Sequence, residues 1–241
     1  HVGMSSSVAF HLASGTHLDQ AYFKNIQNLS ATDTLLIQSA TQNSADATLQ
    51  FLSTNINDNY VLRFDSTNHV TICNLTLEAI GTDYGNVIDI KSNSSNFNIY
   101  DNVLQGNFSP SIAPDTNASI VAIHHSAQNI RIENNELKNG IYGIWKGSLA
   151  NSQNLTIQQN TFFNQVTRGI HIEKLSNLTV RQNYIESNSS LPTYRAIYLD
   201  QLSNQTELLT NRIKITQGSG LIINNSTDAT ESSLIANNMI A

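Results

Sequence analysis

A short phrase built around asparagine recurs along this chain and restricts what it can fold into. It runs aliphatic residue, two others, Asn, one more residue, then an aliphatic or aromatic. Copies centre on Asn102, Asn135, Asn160, Asn183, Asn211 and Asn238, at intervals of 33, 25, 23, 28 and 27 residues. Ile157-Gln158-Gln159-Asn160-Thr161-Phe162 is one copy, and Val180-Arg181-Gln182-Asn183-Tyr184-Ile185 is another. A period of this size signals stacked units, none of which can bury its hydrophobic face alone.

Each repeat shows two short runs that alternate apolar and polar, the period-2 mark of strands. The first reads Asn154-Leu155-Thr156-Ile157 and Asn177-Leu178-Thr179-Val180; the second reads Gly169-Ile170-His171-Ile172 and Ala196-Ile197-Tyr198-Leu199. Runs this short, joined by polar turns, are too brief for helices, which need ~10 residues or more. Strands that recur in one order must stack parallel, and parallel crossovers are right-handed in nearly all cases. The expected fold is all-β: a right-handed single-stranded parallel β-helix of about nine coils. In the second strand the inward columns are Ile88, Val121, Ile144, Ile170, Ile197, Leu221 and Ile90, Ile123, Ile172, Leu199, Ile223. Lys146 interrupts the latter and is expected to mark a bend. Asn suits the turns through its tolerance of the left-handed backbone region. Its amide can also bond the amide of the Asn one coil away, ~4.8 Å distant.

One domain is expected over residues 1–241, less regular over 1–64 and regular over 65–241, with a loop inserted at 106–119. The start at His1 and the stop in mid-phrase suggest an excised piece of a longer chain, the rest of which covers the coil ends. Strands are expected at Val8 to Leu12, Thr34 to Gln38 and Tyr60 to Phe64, while Asp19 to Ile26 reads equally as strand or short helix.

Only 12% of residues are charged and the net charge is −6, with no basic run, which excludes a nucleic-acid-binding surface. No run approaches the ~18 apolar residues of a membrane span. Cys73 is the single cysteine, so no internal disulfide can form, and it reads as a structural thiol. Asn-X-Ser/Thr sequons recur, but in a chain so rich in these residues the repeat grammar explains them better than glycosylation.

The Asn phrase, the alternating strands and the stretches 8–16, 31–39 and 70–82 resemble the right-handed parallel β-helix family of pectin-lyase-like architecture. More narrowly, they resemble repeat regions of large bacterial surface proteins exported by type IX secretion. The resemblance implies an extracellular or cell-surface setting. It leaves activity open, since the fold hosts polysaccharide lyases, glycosidases and non-catalytic adhesins alike.

Threading the second strands on the repeat gives an outward column of Asp89, Ala122, Trp145, His171, Tyr198 and Ile222. A small-residue column of Gly143, Gly169, Ala196 and Gly220 lies beside it. Aromatic rings next to a low floor would form a shallow groove for sugar rings, with Trp145, His171, Tyr198, Gly143, Gly169, Arg168 and Arg195 as its residues. The same rings could instead stack on one another as cross-strand pairs. The threading also sets Arg168 beside Arg195, each expected in the turn before its strand, and Glu173 beside Asp200 with Asn224 next. Stacked acids need compensation, from Lys174 or from a bound Ca²⁺ held by Glu173, Asp200 and Asn224. Resemblance to pectate-lyase-like enzymes implies that Arg168 or Arg195 would be the base of a Ca²⁺-dependent lyase, although no dense Asp cluster of that kind is present. His124-His125 reads as a turn pair rather than a ligand set. The leading expectation is a non-catalytic extracellular module, adhesin-like or a stiff scaffold, with a glycan or cell-surface polymer as partner and no cofactor. The alternative is a Ca²⁺-dependent polysaccharide lyase.

Overall fold

A computed structural model describes residues 6–91, 93–107, 118–124, 126–147, 151–227 and 232–241. Most of the expected 106–119 loop lies outside them. The described strands all pair parallel and form three sheets along one solenoid. The first and second sheets hold nine strands each and the third holds eight. Eight coils are therefore complete in all three sheets, one fewer than expected.

Each coil carries three strands rather than two. The first, such as Ser152–Gln158, lies in the first sheet; Thr161–Phe163 lies in the second and Arg168–Glu173 in the third. The middle strand is the tail of the Asn phrase. With three residues and one inward side chain (Leu104, Leu137 or Phe162), it is too short to display a period. The N-terminal coils obey the same plan: the strands Val8–Leu12, Leu35–Ser39 and Leu62–Asp65 form, and the ambiguous segment is the strand Ala21–Lys24.

Both inward columns of the third sheet hold in register, and their central members are fully buried. At the N-terminal end Phe10, Phe23, Phe64 and Phe97 form a chain of ring contacts with centroids 5.2–5.6 Å apart. Lys146 does not bend its strand. It stays in register between Ile123 and Ile172 with no exposed surface, its Nζ donating to Gly147 O at 2.8 Å and Lys174 O at 3.1 Å.

The Asn column forms the expected ladder. Asn160 Nδ2 donates to Asn183 Oδ1 at 3.1 Å, to Ile132 O and to Gln158 O, while Asn160 Oδ1 accepts from the backbone N–H and amide of Asn135. These residues do not occupy the left-handed region themselves. The residue before each one does: Asp101, Asn134, Gln159, Gln182, Thr210 and Asn237 have φ of 53–57°. The corner is made by the preceding residue, so that the ladder Asn can turn inward and satisfy buried backbone carbonyls. A second left-handed corner, at Asn129, Asn154 and Asn177, opens the first strand and links its side chains by amide bonds of 2.7–2.9 Å. Cys73 is buried and free, donating to Gln38.

Candidate functional site

The outward column of the third sheet is arranged as the register predicts: Asp89, Ala122, Trp145, His171, Tyr198 and Ile222 are consecutive partners, and Arg63 extends the line at one end. Most of it is covered. Asp89 and Ala122 have no exposed surface and His171 has 5%, while Trp145 and Tyr198 are half-buried. The rings pack on one another. His171 stacks on Tyr198 at 5.1 Å, meets the edge of Tyr142 at 5.5 Å, and Trp145 lies 5.1 Å from His124. Gly147 receives the Trp145 ring, since a Cβ there would sit 2.3 Å from Cζ2.

The small-residue column is not a groove floor. A Cβ on Gly143 would meet Phe162 Cδ1 at 2.7 Å, and one on Gly169 would meet Ala196 O at 2.7 Å and Ile185 Cγ2 at 3.1 Å. Both glycines face the interior, against the second sheet. Tyr142↔Arg168 is followed in register by Ile144↔Ile170, so the glycines share the inward side with the isoleucines after them and strict alternation fails there. The same break in alternation covers Arg168 and Arg195. They lie within the strands Arg168–Glu173 and Arg195–Asp200, not in the turns before them.

Arg168 and Arg195 pair in register but face different partners. The Arg168 guanidinium lies 4.2 Å from the Tyr198 ring centroid and bonds His171 Nδ1. Arg195 Nη1 donates to Pro192 O at 3.0 Å and Tyr194 O at 2.7 Å. His171 is held between Arg168 on Nδ1 and Glu173 Oε1, 3.0 Å from Nε2. With an arginine as donor on one nitrogen, the ring is a neutral Nε2–H tautomer. Burial, then the charge of Arg168, pushes its pKa down to about 3.

Glu173 and Asp200 are neighbours in register, with Asn224 next. Glu173 lies 3.0 Å from the neutral His171 Nε2–H, which offers it a hydrogen bond but no compensating charge. Asp200 accepts from Asn225 at 2.9 Å and from Gln201 at 3.2 Å, while the Asn224 amide turns to the Tyr198 hydroxyl at 3.4 Å. The three do not share a centre. Among the described residues no group of three or more His, Cys, Asp or Glu could hold a metal ion.

Sequence reasoning passed over the strongest charge cluster on this face. The Asp89 carboxylate receives Arg63 Nε at 2.8 Å, Lys91 Nζ at 3.3 Å and His124 Nε2 at 3.0 Å. Burial works to raise its pKa, but the His124 hydrogen bond and the nearby positive charges outweigh this and hold it below the usual carboxylate range. Arg63 also donates to Asn57 O and stacks 3.8 Å from the Tyr60 ring centroid. The signal was present in the register: one coil back from Asp89 the outward column reads Arg63. His125 lies outside the described residues.

Compared with known proteins, residues 110–241, a little over half the chain, match the model of a family described as NosD, periplasmic copper-binding protein. No curated protein and no solved structure was found to match the chain.

Proposed function

The chain belongs to the NosD family, and from that premise we propose a non-catalytic, carbohydrate-binding β-solenoid module acting outside the cytoplasm. Such a module is adhesin-like in the broad sense: it presents one face of a stiff stack to a glycan. The supporting observation is the pair Trp145 and Tyr198. These half-buried rings share one outward column, two rungs apart around the covered His171. Two rungs span ~10 Å, about the length of a disaccharide, and sugars stack their C–H faces on such rings. The mutual stacking of His171, Tyr198 and Arg168 preorganises this surface rather than competing with it, because it fixes the Tyr198 ring before any ligand arrives. A periplasmic or cell-surface setting follows the family description and the resemblance to exported repeat proteins.

The family description also names copper. Copper sites take imidazole, thiolate and thioether donors. Both nitrogens of His171 are engaged, Cys73 is buried against Gln38, and His124 Nε2 faces Asp89. Among the described residues no group of three or more His, Cys, Asp or Glu could hold a metal ion, so the donors they offer do not fit a copper centre. The lyase alternative gains no support either. Each candidate arginine is committed to its neighbours, and a guanidinium does not readily give up its proton.

Binding to immobilised neutral and acidic oligosaccharides tests the proposal. Trp145→Ala and Tyr198→Ala should each weaken a detected interaction by about tenfold, the worth of one stacked ring. Retained affinity in both variants would sink the reading.

A further inference from the structure

The Asp89 cluster carries more positive charge than its single carboxylate neutralises. Arg63 and Lys91 are two permanent cations around one acid, and His124 is a third donor. Two like charges at one carboxylate repel each other. The cluster is nevertheless rigid: Asp89 is fully enclosed and its carboxyl stays ionised, Arg63 is pinned by Asn57 O and the Tyr60 ring, and His124 packs against Trp145. The side chains still reach solvent, Lys91 at 32%, His124 at 15% and Arg63 at 14%. This excess stands in a chain whose net charge is −6, so it is local and not part of a general basic surface. The buried acid holds the cations in place, while the solvent-facing edges of Lys91 and Arg63 can meet a second anion.

We infer that Arg63, Lys91 and His124 form a built oxyanion site that takes the sulfate or carboxylate group of an acidic saccharide. Asp89 lies two rungs from Trp145 in the same outward column, ~10 Å along the sheet. A saccharide lying on the Trp145–Tyr198 line would carry its charged group into this cluster. In naming a saccharide the inference rests on the reading above; the oxyanion site itself does not. Lys91 is the group that meets the anion most directly, since it is the most exposed of the three. Asp89 is a positioning residue, acting through the cations it holds.

Trp145 is the single tryptophan, and its ring touches His124, so its fluorescence reports on the site. The experiment titrates the full chain at low ionic strength with inorganic sulfate, then with one oligosaccharide in sulfated and unsulfated form. Sulfate alone should change Trp145 emission saturably. The sulfated oligosaccharide should bind about tenfold tighter than its unsulfated form, an advantage that shrinks with added salt. Lys91→Gln should abolish the sulfate response and the preference without lowering the melting temperature, and Lys91→Arg should retain both. No response to sulfate, or an unchanged response in Lys91→Gln, overturns the site. Equal binding of the two oligosaccharides overturns the acidic class yet leaves the glycan reading standing. A sulfate response without binding of either oligosaccharide supports the site and removes the glycan reading.

Discussion

At the scale of single residues, Lys146 sits where the column calls for an aliphatic. Its charge is enclosed with two carbonyl acceptors, and burial lowers its pKa to about 8, against 10.5 in the unfolded chain. Between those values the unfolded chain binds more protons than the folded one, so stability should rise as pH goes from about 8 to 10.5. Lys146→Met should remove that rise. It should also increase the melting temperature near neutral pH by several degrees, since the charge costs up to about 3 kcal/mol. Chemical denaturation of both proteins across this range checks the slope. His171 acts with the same sign in a lower pH window. With its folded pKa near 3 against 6.5 unfolded, stability should fall as pH drops from 6.5 toward 3. His171→Phe should flatten that part of the acid limb, though its neutral-pH midpoint should also fall because Arg168 and Glu173 lose their shared ring.

At the scale of elements, the corners carry the specificity of the coil. Asn160 satisfies Ile132 O and Gln158 O and links Asn135 to Asn183, all in a place with 1% exposure. Asn160→Leu leaves those carbonyls without donors, so it should cost about 3 kcal/mol or more and lower the melting temperature on the order of 10 °C. Thermal unfolding followed by circular dichroism gives the answer; an unchanged midpoint would count against the ladder. Gly169→Val should destabilise by a few kcal/mol through overpacking, because its Cβ would fall 2.7 Å from Ala196 O. The Asn phrase was legible as a period and as a ladder. The left-handed residue before it was not, because Asp, Asn, Gln and Thr all fill that position and leave no single-letter signature. The outward column was legible because alternation survives from Ile170 to Ile172, whereas the inward direction of Gly169 breaks that alternation and no pattern of polarity records it.

At the scale of the whole molecule, stability is shared between neighbouring coils rather than held in one centre. Strands from the middle of the stack, such as Ser119–Ile123 and Ser152–Gln158, are covered on both sides along the axis, and their inward residues are fully enclosed. At the ends, Phe10 and Leu18 on one side and Leu234, Ile235, Met239 and Ile240 on the other are 46–75% exposed. Hydrogen exchange should therefore be slowest in the central coils and fastest in the strands Val8–Leu12, Gly15–Leu18, Leu234–Ala236 and Met239–Ile240. Mass-spectrometric exchange on the folded chain would show this gradient. Uniform protection along the axis would mean that the stack opens as a single unit instead.

The amino-acid sequence by itself determined the solenoid, the parallel register and the membership of the outward column, because each follows from local periodicity repeated at fixed intervals. It paired Arg168 with Arg195 and Glu173 with Asp200, since register is a matter of counting. Only the tertiary structure decided which of those neighbours interact. Arg195 turns to Pro192 and Tyr194, Glu173 to His171, and Asp89 draws Arg63, Lys91 and His124 from three successive coils. The physical reason is that a long charged side chain reaches as far as the next rung. Its partner is then chosen by burial and by the donors around it, and neither quantity is written in the repeat.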